Sequence, residues 1–282
     1  MPSMPISTDE QLIIVDHFNT HVTFWHDIYT QANTFTGYSY RKQHEFTLTF
    51  IAENFPGNSS ILDVGCGTGV TLLALAQRGY QTSGVDFASK MIQKAQDLAQ
   101  EQGLSCDFSV ALADQLPFPD ESFEVVIALG LLPNLRDDSA CLAEMRRVLR
   151  PHGTFLLSMP NVLGIDRWVG LPRSLPLILG HEFRLKSRPL GNTMRRILGL
   201  RLKEKVVRYG RSVIPARYRH HLEHQGFVGV QYHSLTFGPF VPFGLSLVSD
   251  HRSIKLSEAL CRYNPLRDLG NIVIFHGHKG WL

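Results

Sequence analysis

The stretch Ile61-Leu62-Asp63-Val64-Gly65-Cys66-Gly67-Thr68-Gly69 limits the fold more than any other part of this chain. A short apolar run stops on glycines spaced G-x-G-x-G, and an apolar helical pattern opens at Val70. Glycines at that point let the backbone turn tightly and lie against a ligand before the helix begins. Asp86 comes 21 residues after Gly65, at the end of the next apolar run. An acid there can accept hydrogen bonds from both hydroxyls of a ribose.

Alternating strand and helix patterns continue on either side of that loop. Ile61–Val64, Gln81–Val85, Ser105–Val110, Phe123–Leu129 and Gly153–Ser158 read as strands. Val70–Arg78, Ser89–Gln102 (with Ser89 as its N-cap) and Asp137–Leu149 read as helices between them. Such alternation predicts right-handed crossovers and a mostly parallel sheet covered by helices on both faces. Tyr218–Gln225 then reads as a helix stopped by Gly226, and Phe227–Thr236 and Asn271–His276 as the last two strands. Ahead of the loop, Ile14, His17, Phe18 and His21 are spaced for one helix face, and Phe46 to Phe55 for a second helix. The expected divisions are an N-terminal helical lid over 1–55, a Rossmann-like core over 56–160, a basic helical insert over 161–220, and the rest of the core sheet over 221–282.

The loop also discriminates between ligands. A dinucleotide would place its pyrophosphate at the helix start and prefers G-x-G-x-x-G. Here Asp63 stands just before the glycines. A carboxylate beside a pyrophosphate costs about 1–4 kcal/mol for each pair of charges a few ångströms apart. The same carboxylate suits a ligand with an ammonium group and a sulfonium, and S-adenosylmethionine has both.

Residues 61–159 resemble the class I S-adenosylmethionine-dependent methyltransferases, in the small-molecule group (methyltransferase type 11) that includes ubiquinone-pathway enzymes. Four stretches in family order carry the resemblance: Ile61–Gly69, Gly84–Met91, Ala113–Phe123 and Arg146–Thr154. It implies a Rossmann-like, seven-stranded, mostly parallel sheet with a final antiparallel strand. It also implies that Asp63, Gly65 and Gly67 hold the methionine part of the cofactor, with Cys66 and Gly69 also at the cofactor. Asp86 would hold the ribose, with Phe87 and Met91 packing on the adenine; plain core packing is the alternative for those two. Asp114 would receive the adenine amino group beside Gln115, and Leu129 would face the sulfonium region, with Ala113 and Asn134 also at the cofactor. Phe24–Tyr29 and Arg41–His44 are similar to the lid and first helix of this group, porphyrin methyltransferases included. By that likeness Tyr29 closes over the cofactor and Arg41 pairs with its carboxylate.

Methyl transfer is an in-line displacement at the CH₃ of a sulfonium. Alignment and a dry site do most of the work, and alignment alone can contribute roughly 7–11 kcal/mol. An oxygen or nitrogen acceptor can also need a base within about 3 Å. Many relatives place a histidine where this chain has Asn134, which is no base. The candidates elsewhere are His26, Tyr29, His181 and His233, each with a structural or solvated role as the alternative. Tyr29, Leu132, Asn161 and Trp168 are the expected acceptor-pocket residues.

Charge is distributed unevenly. Residues 161–220 hold 14 of the 28 Lys and Arg against three acids. Met194–Lys203 looks like a cationic amphipathic helix. Three readings stay open for this insert: peripheral membrane contact through 184–211, a positive wall for an anionic acceptor, or a lid with a solvated basic face. The apolar run from Phe237 to Leu245 favours an apolar, lipid-like acceptor. Four cysteines without a C-x-x-C pair and no signal-like N-terminus point to a cytoplasmic protein without a metal site. The rival functions are an RNA methyltransferase, drawn to phosphates by the basic insert, and a cofactor-binding protein without catalysis. No tetrapeptide of the kind used by base-amino methyltransferases is present, so no nucleic-acid partner is expected.

Overall fold

The structure, a computed structural model, describes residues 8–29, 33–164, 210–238, 249–261 and 268–281. The basic stretch 184–209, His181, Trp168 and the apolar residues 239–247 lie outside the described residues.

Five strands alternate with helices from residue 60 onward. They are β1 (Ser60–Val64), β2 (Gln81–Asp86), β3 (Cys106–Val110), β4 (Phe123–Ala128) and β5 (Leu149–Pro160). Between them run α4 (Val70–Ala76), α5 (Ser89–Glu101) and α6 (Ser139–Val148), preceded by α1 (Thr8–Thr20), α2 (Val22–Asp27) and α3 (Phe35–Asn54). The C-terminal elements are α7 (Pro215–His224), β6 (Phe227–Thr236), α8 (Asp250–Cys261) and β7 (Ile272–Lys279). All seven strands form one sheet in the order β3-β2-β1-β4-β5-β7-β6. The first five are mutually parallel, and β7 runs antiparallel to both its neighbours. This is the Rossmann-like sheet expected from the sequence, with its final antiparallel strand.

Alternation along each strand builds two apolar layers. Leu62 and Val64, Val126 and Ala128, and Phe155 and Leu157 face the layer that α6 and α7 cover with Leu142, Met145, Val148 and Leu222. Ile61, Val125, Ile127 and Leu156 face the other layer, under Leu72 and Leu75 of α4 and Ile92 and Ala95 of α5. Each fully buried aliphatic side chain contributes roughly 1.5–3 kcal/mol. The strand tips are thereby fixed as a rigid platform.

Three local details depart from the sequence reading. The N-terminal segment makes three helices, because His21 breaks the first pattern between α1 and α2. Ala88, not Ser89, is the N-cap of α5; its backbone N–H is taken by the Asp86 carboxylate at 2.9 Å, so no serine cap is needed. β5 begins at Leu149, earlier than expected, by pairing with Phe123 across a register shift near His152, which has φ +61°.

Candidate active site

A cavity of about 560 Å³ opens at the C-terminal tips of β1 to β4. Going outward from the centre, strand order reverses between β1 and β4, where open α/β sheets leave a ligand crevice. The volume lies within the range of small-molecule sites.

The glycine loop forms one wall. Gly65, Gly67 and Gly69 all have positive φ, at 77°, 54° and 74°, where a side chain would be strained. The backbone N–H groups of Gly65 and Cys66 donate to the Val85 carbonyl at 2.8 and 3.0 Å, folding the loop back over β2. Nothing stands within 4 Å of where a Gly67 Cβ would be, so that face is open to a ligand. Gly69 itself is off the cavity wall and serves as the N-cap of α4.

Two acids stand behind and beside the loop. Asp86 lines the cavity; its Oδ2 accepts from Gly67 N–H at 3.0 Å and its Oδ1 from Ala88 N–H. Burial raises its pKa, opposed by those backbone donors. Asp63 is 4% exposed, and its Oδ1 is buried with no hydrogen-bond partner. Burial first and the charge of Asp86 second push Asp63 well above the usual carboxylate range. The Cys66 thiol is pushed up by burial and by both acids. An orphaned buried carboxylate oxygen, an open glycine cradle and a second carboxylate make a donor set that fits a cationic ligand with a vicinal diol. They fit a polyanion poorly.

The remaining walls bring most of the expected cofactor residues together. Phe87 and Met91 line the cavity from the start of α5, Ala113 and Asp114 from the loop after β3, and Leu129 and Asn134 from beyond β4. Asn134 is tied down by donating from Nδ2 to the Gly130 carbonyl at 2.8 Å. Tyr29 lines the cavity from the N-terminal segment, and burial, with Tyr40, Asp63 and Cys66 nearby, pushes its hydroxyl pKa up.

Other expected residues stand elsewhere. Gln115 is exposed beside the cavity, and Arg41 lies on α3 off its wall. His26 reaches the site only through Thr68, with Nδ1 and Oγ1 3.3 Å apart. His233 is on edge strand β6, stacked on His276 with ring centroids 5.2 Å apart, and does not line the cavity. Asn161 is fully buried away from the pocket: its Nδ2 donates to the carbonyls of Asp268 and Gly270, and its Oδ1 accepts from Leu163 N–H. The end of β5 needs those bonds where chain segments converge, so the acceptor-pocket expectation for Asn161 gives way to a structural role. Leu132 likewise packs in the core, at 0% exposure in a 3₁₀ turn. Among the described residues, no histidine lines the cavity.

The sequence predicted a helical lid over 1–55 but, Tyr29 apart, not the side chains that form the roof. Ile14, Val15 and Phe18 of α1, Trp25 of α2 and Tyr40 of α3 close the cavity from above. Phe18 meets Phe87 edge-on at 5.5 Å and stacks on Trp25 at the same distance. Asn19 Oδ1 accepts from Lys90 N–H at 3.0 Å, pinning α1 to α5. The i, i+4 spacing of Ile14 and Phe18 was a usable signal for this face. Arg136, which also lines the pocket, follows Asn134 in a loop the resemblance covers only partly.

Residues 62–157 match the family described as a methyltransferase domain. That region holds 96 of the chain's 282 residues. It is similar to the ubiquinone/menaquinone biosynthesis C-methyltransferase of Desulfotalea psychrophila, 42% identical over 35% of this chain and 40% of that protein. It is also similar to the ubiquinone biosynthesis O-methyltransferase of Pasteurella multocida, 28% identical over 51% of this chain and 62% of the relative. The matched part thus spans less than two thirds of either relative. Among solved structures, magnesium protoporphyrin IX methyltransferase from Synechocystis PCC 6803 with bound SAH superposes with a TM-score of 0.59. That match has 18% identity and covers 96% of this chain and 100% of that one. Phosphoethanolamine N-methyltransferase 2 of Haemonchus contortus, in complex with S-adenosyl-L-methionine, gives 0.62 at 17% identity, covering 100% of this chain and 62% of the other. These two likenesses show the fold. Among the described residues, no helix is long and apolar enough to cross a membrane, and no group of metal-ligating side chains occurs.

Proposed function

We propose that this protein is an S-adenosylmethionine-dependent methyltransferase that passes a methyl group to an oxygen or nitrogen of a small, largely apolar acceptor. The observation that carries the reading is the buried Asp63 Oδ1, left without a partner behind an open glycine cradle. The matched domain and the named relatives support it. When bound, S-adenosylmethionine supplies an electrophilic methyl on a sulfonium leaving group. Asp63 balances the ammonium end, and Asp86 accepts from the ribose hydroxyls. Phe87 and Met91 hold the adenine face, with Asp114 at its edge. The apolar roof keeps water out, which strengthens the interactions of both acids.

The described cavity wall offers no histidine to take a proton. On this reading, alignment of the methyl with the acceptor by the pocket is the main contribution of the described residues. The Trp25, Tyr29 and Tyr40 rings favour a flat apolar acceptor, which suits the ubiquinone biosynthesis named for the relatives. The test is incubation of the pure protein with methyl-labelled S-adenosylmethionine and a panel of phenols and amines, followed by mass spectrometry. Label on an oxygen or nitrogen of an aromatic acceptor supports the reading. Label only on carbon, or only on added RNA, contradicts it.

A further inference from the structure

The tips of β3, β2 and β1 carry, in that order, Asp114, Asp86 and the glycine loop. An adenosine ligand held by them lies along the tips, base over β3, sugar over β2 and amino-acid end over β1. Its sulfur joins sugar to amino acid, so it would sit between the β2 and β1 tips, one strand from the tip of β4 with Leu129 and Gly130. Tyr40 reaches that tip from α3. A Cβ placed on Gly130, whose φ is +71°, would lie 3.7 Å from Tyr40 Cε1 and 4.0 Å from its hydroxyl. The absence of a side chain there lets the tyrosine ring come down onto the strand tip. The ring is steadied edge-on by Trp25 and Tyr29, both at 5.9 Å between centroids and 70° between planes.

We propose that Tyr40 reads the sulfonium: its ring faces the methyl-bearing sulfur, so the pocket holds the charged methyl donor in preference to the neutral thioether left after transfer. This rests on the S-adenosylmethionine reading above. An aromatic face attracts a cation through its quadrupole, and more so where water is excluded. The thioether carries no charge and gains nothing from the ring. Donor therefore displaces product at the same wall that aligns the methyl.

Calorimetry with S-adenosylmethionine and S-adenosylhomocysteine tests this on the wild type, Tyr40→Phe and Tyr40→Leu. Tyr40→Phe keeps the donor-to-product preference, whereas Tyr40→Leu lowers it about tenfold and leaves thioether affinity within about twofold. A second readout needs no variant: the ¹³C-methyl resonance of labelled S-adenosylmethionine moves upfield on binding, because the methyl sits over a ring. Equal loss of both affinities in Tyr40→Leu, no change in their ratio, or a methyl resonance that stays at its free position overturns the inference while leaving the cofactor assignment standing. A wild-type protein that binds neither compound removes the cofactor assignment and this inference together.

Discussion

Asp63 and Asp138 are both almost fully buried, at 4% and 1% exposure, yet their surroundings treat them oppositely. Asp138 caps the approach to α6. It accepts from the Tyr218 hydroxyl at 2.5 Å, faces His221 Nε2 at 3.3 Å and pairs with Arg211 at 3.3 Å. Burial pushes its pKa up, but the His221 hydrogen bond, the Arg211 charge and the Tyr218 hydroxyl outweigh that and bring it to about 2. Asp63 has another acid nearby and one oxygen with no partner, and its pKa goes up. Burial alone does not decide what a carboxylate is for. One with every partner supplied by its own chain holds elements together. One left short of partners at a strand tip is completed by something that arrives.

That difference can be broken at either end. Asp138→Asn leaves Arg211 without its counter-charge where α7 meets α6, and should cost about 3 kcal/mol in chemical denaturation. Asp63→Asn should do the reverse to the free protein, raising its thermal midpoint by a few degrees because the amide cannot take the ionised form that burial and Asp86 disfavour. The same change should weaken S-adenosylmethionine binding by about 30–100-fold, as expected for losing a hydrogen bond to a charged group. A variant that lost both stability and binding would mean Asp63 is structural, like Asp138.

Acidity sharpens the contrast. Asp138 has its folded pKa depressed, so its stabilisation is present above 3.8 and is lost as pH falls towards about 2. Asp63 has its folded pKa raised, so any stability linked to it is greatest below 3.8 and is lost as pH rises through the raised value. A cationic ligand favours the ionised form of Asp63, so binding releases a proton and affinity should rise with pH, by at most about tenfold per unit. Calorimetric titrations between pH 5 and 8 would show this slope in the wild type and its absence in Asp63→Asn. The smallest expected effect is at His26→Ala. Its contact with Thr68 is a single 3.3 Å approach, and its loss should weaken cofactor binding only about twofold to fivefold.

The floor of the site was far more legible in the sequence than its roof. Strand runs, glycines and Asp86 are local signals, because each follows from the period of a strand or the sterics of a turn. The sheet and the residues at its tips could therefore be read from 61 to 159. The roof could not. Tyr40 comes down on Gly130, and Trp25 against Tyr40, only because α2 and α3 fold back over the strand tips, and no spacing within either helix announces that. Asn161 shows the opposite error. Its place just past β5 suggested a pocket residue, but the carbonyls of Asp268 and Gly270 take its Nδ2 and Leu163 N–H its Oδ1. His233 failed likewise, because strand order puts β6 at the far edge beyond β7.

The most direct trial is a calorimetric titration of the purified wild-type chain with S-adenosylmethionine and, separately, with NAD. Saturable heat with the first and none with the second is expected, since a partnerless buried carboxylate welcomes an ammonium and repels a pyrophosphate. Heat with NAD and none with S-adenosylmethionine would contradict the account.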